Sequence, residues 1–373
     1  ITLLISIIAY TVFLFRTKPK SSYLYPLSLF IISLAVLYCF QLRSDHLFGA
    51  DIHMEYYEFT LVAESARWRP YNLFSSCLSI TIFPLIFSSI TGLNAESVFK
   101  FLPPFLLSLV PVILFKVYRR WVGDDFGFLS ALLLVASPIY LLHIPSLARQ
   151  VVSLVFLALI VFITAEPFDS RITLGTFVLL SLGMVVSHYS TGWIYIFVLF
   201  SLMCFPYLNT WLKNKIGTSE KGVITLPLFI LVFSYTFIWY AIVSGTPFSF
   251  SVDYLYNVCK NLAYFFSLES RSSMALELVG IYPRRGFPNI FGYWVGNVAR
   301  GLILVGIIAF YFKKNTRRRF GIEGYYAFVG LTSMVLLILF TVLPYITSVY
   351  NLDRLYLTLL IFLSPFLPVG LQS

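Results

Sequence analysis

Apolar runs of bilayer-spanning character recur along almost the whole of this chain, and they decide what it can fold into. They lie near residues 1–15, 23–41, 101–118, 128–144, 151–165, 172–187, 191–206, 223–243, 295–312, 325–343 and 355–371, which makes about eleven spans. No single aqueous core could bury them all, because 59% of the 373 residues are hydrophobic and only 11% are charged. An ordinary soluble enzyme is thereby excluded. The runs show no alternation of polar and apolar residues, so they read as helices rather than barrel strands. The fold class is all-α integral membrane, a single polytopic domain over residues 1–373. The first run is short for a span, as expected of a chain that begins inside a helix. The apolar segment 78–92 holds Pro84 and is also short, and it reads as interfacial or re-entrant.

The net charge of +10 would suggest nucleic acid in a soluble protein, but topology accounts for it here without a nucleic-acid partner. If 78–92 does not cross, loops on one side collect 15 basic residues against 6 acidic ones, and KKNTRRR at 313–319 is the densest of these loops. The other side carries the remaining 11 basic and 10 acidic residues. The basic side is expected to be cytoplasmic and the protein a multi-pass plasma-membrane protein. Two long loops then face outward, a first at 42–100 and a second at 244–294. The four cysteines (Cys39, Cys77, Cys204, Cys259) form no CxxC pair and read as free thiols, with a Cys77–Cys259 bridge as the alternative.

Chemistry-bearing residues concentrate at the start of the first outer loop, in RSDHLFGADIHMEYYEF at 43–59. Gly49 lets the chain turn, and a helix from about Ile52 puts Glu55 and Glu58 on one face with Asp51 near its N-cap. A carboxylate here could serve as a general base, or Asp51, His53 and Glu55 could ligate a divalent cation such as Mg or Mn; the plainer reading is an acidic helix cap. Further polar residues fall at short outer turns: Arg149 in HIPSLARQ, His188 and Tyr189 in SHYSTG, and Asp353 with Arg354 in YNLDRLY. Snorkelling to headgroups is the alternative for the arginines, and a hydrogen-bonded helix end for His188. Arg300 lies twelve apolar residues from the basic loop, about 18 Å along a helix, and a guanidinium at that depth suits a phosphate. Arg284 and Arg285 are a second phosphate clamp or an interfacial anchor. Loop aromatics such as Trp68 and Tyr254 read first as an interfacial belt.

Carboxylates mixed with arginines on one side of a bundle suit a ligand with an anionic head and a lipid tail. GADIHMEYYEF and the stretch after it resemble the C-type (GT-C fold) membrane glycosyltransferases, which include oligosaccharyltransferases, protein mannosyltransferases and aminoarabinose transferases. With LARQ at 147–150, SHYSTG at 187–192 and NLDRLY at 351–356, the chain is similar to an uncharacterised archaeal membrane protein family grouped with them. The resemblance implies a long first outer loop with interfacial helices and a site on the extracytoplasmic face. It implies a dolichyl- or polyprenyl-phosphate sugar donor and a protein, glycan or lipid acceptor, as in protein glycosylation. Asp51 matches the family's acid, with Glu55 and His53 beside it. Arg149, Arg284, Arg285, Arg300 and Arg354 would hold the donor phosphate, and Glu58, His188, Tyr189 and Asp353 would line the substrate. The chain departs from the family in lacking a WWDYG-type motif, a plain DxD and a C-terminal globular domain, and either a missing C-terminal portion or a partner membrane subunit would explain the ending. The alternatives are a transporter or flippase for a lipid-linked or anionic substrate, and a non-catalytic subunit of a membrane assembly.

Overall fold

The computed structural model describes residues 2–17, 23–49, 51–142, 144–165, 171–216, 224–278, 287–347 and 350–373. Among them there are helices and turns and no strands. Within the described residues, each of the eleven apolar runs is mainly helical. Among the described residues six helices are long and apolar enough to cross a membrane, or seven if one bent pair is a single span, which is fewer than the eleven expected from hydropathy. The difference lies in short or broken helices. Three of the runs give α1 (Thr2–Thr17), α8 (Ala148–Thr164) and α9 (Arg171–Ser187), which have only 16 or 17 residues.

The bundle is organised around α5 (Ala95–Val122), whose 28 residues would rise about 42 Å. The Asn94 side chain caps it by accepting from the Ser97 N–H at 2.7 Å. It packs against α2 (Leu24–Gln41), α6 (Asp124–Val135) and α8. Rings such as Phe115, Tyr118 and Phe128 fill that seam. Helix α6 runs into the short α7 (Pro138–Leu142) with a 53° bend where Pro138 interrupts the ladder. Helix α9 lies on α8, and α10 (Tyr189–Ile216) lies on α16 (Gly324–Val342).

The last apolar run is split into α17 (Leu352–Leu363) and α18 (Phe366–Leu371) by Pro365, which has no N–H to give the Ile361 carbonyl four residues earlier. That orphaned oxygen is taken up from outside the helix. The Tyr118 and Tyr326 hydroxyls donate to it at 2.6 and 2.5 Å. Past the break, α18 sits tightly on α14 (Phe287–Phe312), because a Cβ at Gly306 would overlap the Phe366 carbonyl and one at Gly370 the Leu302 carbonyl.

Large apolar side chains stay exposed on α11 (Leu226–Phe237) and α14, among them Ile230, Leu231, Val298 and Ile308. Such faces belong against acyl chains rather than water. At one end of the bundle, α3 (Asp51–Ser65) and α4 (Ile82–Thr91) form a cap with a small core of its own, including Ile52, Phe59, Ile80, Phe99 and Ala148. Helix α4 has ten residues, about 15 Å, too short to cross. The same end also carries α12 (Thr246–Lys260). All four cysteines are free.

Candidate functional site

Helix α3 buries Ile52, Glu55, Phe59 and Val62, spaced three to four residues apart, and so turns one stripe onto the bundle. Glu55 belongs to that stripe and is fully buried. The approach to the helix depends on Gly49, whose φ of +126° and contact with Ser146 leave no space for a Cβ. This seats α3 beside the 3₁₀ turn Ile144–Ser146 and the start of α8. There the Ala148 N–H, which has no partner within its own helix, donates to Glu55 Oε2 at 2.7 Å. Arg149 Nη1 donates to Glu55 Oε1 at 2.8 Å, and its guanidinium lies 4.1 Å from the Phe74 ring centre.

One helical turn before Glu55, Asp51 meets the other half of the fork, with Arg149 Nη2 donating to Asp51 Oδ2 at 3.1 Å. The same oxygen accepts from Arg354 Nη2 at 3.2 Å. Three distant parts of the chain therefore meet on one carboxylate. Asp51 keeps 27% of its side chain exposed, against 4% for Arg149 and none for Glu55, so Asp51 is the accessible one of the two acids. Both arginines sit in the first turn of their helices, α8 and α17, where the positive end of the helix dipole adds to their charge. Burial pushes Glu55 up to about 7, against the pull of Arg149 and the Ala148 N–H.

The other residues singled out by sequence are placed differently. Glu58 is buried, but it accepts from the Tyr71 hydroxyl at 2.7 Å and from Asn72 Nδ2 at 2.6 Å, which ties down the loop after α3. His53 is exposed, two residues round the helix from Asp51, so Asp51, His53 and Glu55 do not form a ligand set. Among the described residues no group of three or more His, Cys, Asp or Glu side chains could hold a metal ion. His188 is buried, with Nδ1 2.6 Å from Thr191 Oγ1 at the start of α10, as in the helix-end alternative. Arg284 and Arg285 lie outside the described residues.

Two cavities flank the stretch that carries Arg354. One, of about 290 Å³, is lined by Arg300, Asp353, Leu352, Tyr356, Tyr293 and Glu277. Arg300 Nη2 donates to Asn297 Oδ1 at 2.6 Å, its guanidinium stands 5.6 Å from the Tyr356 ring centre, and its Nε is buried without an acceptor. The other, of about 480 Å³, is almost wholly apolar, and its walls include Tyr189, Trp193, Phe250, Tyr254, Phe340 and Tyr350. Tyr350 thus faces one cavity while Leu352, Asp353 and Tyr356 face the other. Sequence reasoning passed over Gln150, buried beside Arg149 with Nε2 3.3 Å from the Tyr350 hydroxyl. A neutral amide inside an apolar helix start was the available signal. Phe74, under Arg149, carries none.

Residues 175–373, more than half of the chain, match the family model described as a predicted membrane protein, DUF2206. The chain belongs to the DUF2206 family. Among curated proteins no sequence matches it. Among solved structures, this DUF2206 protein is similar to the crystal structure of ArnT from Cupriavidus metallidurans bound to undecaprenyl phosphate, with a TM-score of 0.56 and 14% identity. The match covers 93% of the chain and 60% of that structure, so the DUF2206 chain spans less than two thirds of its length. The likeness is one of fold: an all-helical, ArnT-like membrane bundle, as the resemblance to GT-C proteins implied.

Proposed function

We propose that this DUF2206 protein is a membrane glycosyltransferase that moves a sugar from a polyprenyl- or dolichyl-phosphate donor to an acceptor on the extracytoplasmic face. The observation that carries the reading is the partly exposed Asp51 carboxylate, held between Arg149 and Arg354 at the first turns of α8 and α17. A carboxylate so placed can accept the proton of an acceptor hydroxyl as that oxygen bonds to the anomeric carbon. The bond from that carbon to the phosphate oxygen breaks in the same displacement, inverting the centre and leaving polyprenyl phosphate. Negative charge gathers on the departing phosphate, and guanidinium groups are suited to hold it in two-point contact. In this reading Arg300 and Arg354 face the donor head, and the apolar cavity beside Tyr189 and Tyr350 takes an isoprenoid chain. Glu55 anchors Arg149, which in turn aligns Asp51. The ArnT-like fold supports the reading, since the ArnT structure holds undecaprenyl phosphate.

The test is transfer by the purified chain in lipid nanodiscs, using undecaprenyl-phosphate-linked sugars and following release of undecaprenyl phosphate. Asp51→Asn is expected to lower turnover by about 100-fold or more, the usual worth of a general base, while the protein stays monodisperse. A folded Asp51→Asn protein working at the wild-type rate would overturn the assignment.

A further inference from the structure

The basic residues beyond α14 have two different tasks. Arg317 folds back on the last turn of that helix, where its Nε and Nη2 donate to the Phe310 and Tyr311 carbonyls at 3.3 and 2.9 Å, oxygens that a helix end leaves without partners. That brace sets the short helix α15 (Lys314–Arg319) against α14. Lys314 and Arg318, one turn apart, are exposed, as is Arg319. The side chains of Lys314 and Arg318 make no hydrogen bond or ion pair among the described residues. The Gly321 N–H donates to the Trp121 carbonyl at 3.0 Å, which brings the end of α5, with exposed Lys116 and Arg120, to the same end of the bundle. Two acids at this end are already engaged, Asp124 by Arg119 at 2.8 Å and Asp125 by the Tyr25 hydroxyl.

This end lies about one membrane thickness from the Asp51 cluster. Lys313 Nζ donates to the Ser373 carbonyl at 3.0 Å. Along α17 and α18, Ser373 is up to about 28 Å from Arg354 at 1.5 Å per residue, close to the roughly 30 Å of a hydrocarbon core. Helix α14 approaches α15 with an exposed apolar stripe, Leu304, Val305, Ile308 and Phe312, spaced so that all four fall on one side of the helix. Phe312, 78% exposed, is followed directly by Lys313 and Lys314. An acyl chain lying along that stripe ends where the cationic side chains begin.

We propose that α15, with the adjoining end of α5, binds the headgroup of an anionic phospholipid whose acyl chains lie on the exposed stripe of α14. The guanidinium groups of Arg318 and Arg319 are suited to the headgroup phosphate, and Lys314 adds a point charge beside them. A zwitterionic lipid offers the same chains but brings a cation of its own, for which α15 holds no carboxylate. A free phosphate offers the charge but leaves the apolar stripe uncovered. The site stands apart from Asp51 and Arg300, and it does not depend on the proposed transfer reaction.

The test is native mass spectrometry of the purified chain offered equal amounts of phosphatidylglycerol and phosphatidylcholine with matched acyl chains. Wild type is expected to favour phosphatidylglycerol by about tenfold or more, and the Arg318→Gln/Arg319→Gln variant to lose most of that preference, since each basic residue near an anionic surface is worth about fivefold. Lys260→Gln, which removes an exposed lysine at the end of α12, is expected to leave the preference unchanged. Equal retention of the two lipids by wild type, a preference that survives the double substitution, or an equal loss in Lys260→Gln overturns the site and leaves the basic loop with a role in orientation alone. Inorganic phosphate, at an ionic strength matched by chloride, is expected not to displace phosphatidylglycerol; displacement by phosphate alone would make this a site for the free anion and overturn the lipid assignment. If the double variant does not fold, Lys314→Gln decides in its place: a fall of about fivefold supports the site, and an unchanged preference overturns it.

Discussion

At the scale of residues, Glu55 shows how burial and pairing divide one carboxylate's behaviour. Its ordinary value of 4.5 is raised to about 7 by burial, although Arg149 and the Ala148 N–H both favour the charged form. Between those values the folded protein holds a proton on Glu55 that the unfolded chain has lost, so stability from this group is greatest below about 4.5 and is lost as pH rises through 7. In detergent, the unfolding temperature is therefore expected to fall as pH is raised across that window, and Glu55→Gln is expected to flatten the slope; an unchanged slope would remove Glu55 as its source. Nearby, His53 illustrates the limit of reading sites by proximity in sequence. It lies between the two acids in the chain, yet a helix turns it about 200° from Asp51 and leaves it exposed. Glu55 and Glu58 do share the buried side that their spacing implies, but spacing does not tell that one meets Arg149 and the other Tyr71 and Asn72.

At the scale of elements, hydropathy is a local property, and it locates the helices well because burial in lipid or in the bundle makes the same demand on each residue. It is blind to where a run breaks. The stretch 355–371 reads as one span, yet Pro365 divides it, and the break is stable because hydroxyls on two other helices serve the freed Ile361 carbonyl. Either tyrosine alone can satisfy that oxygen. Tyr118→Phe and Tyr326→Phe are accordingly expected to be mild singly, while the double variant leaves a buried acceptor empty and costs about 1 to 3 kcal/mol. Thermal unfolding of all three proteins tests this; a double variant whose loss is the sum of two small ones would show that the carbonyl finds another donor. The charges flanking the helices were also legible singly. Asp51, Arg149 and Arg354 each stand out against apolar surroundings, but their meeting does not, because 98 and 303 residues separate the partners.

At the scale of the molecule, the skewed distribution of basic residues proposes an orientation that can be read directly. Glu64 at the end of α3 and Asn315 in the basic loop are both exposed. With the native cysteines replaced by serine, Glu64→Cys is expected to react with a membrane-impermeant maleimide from outside intact cells, and Asn315→Cys only after permeabilisation. The reverse pattern would turn the protein over and put Asp51 on the cytoplasmic side. The ion cluster also ties the fold to the order in which the chain is made. Helix α3 precedes α17 in synthesis, and the arginine that closes on its first residue arrives 303 residues later, about 15 to 60 seconds at about 5 to 20 residues per second. Through that interval the cap can assemble with α8 and Glu55 can find Arg149, while Asp51 waits for its second arginine. Synthesis itself thus leaves Asp51 with one arginine until α17 has been delivered, and a ribosome that stalls before α17 leaves a product in which that carboxylate still lacks its second partner.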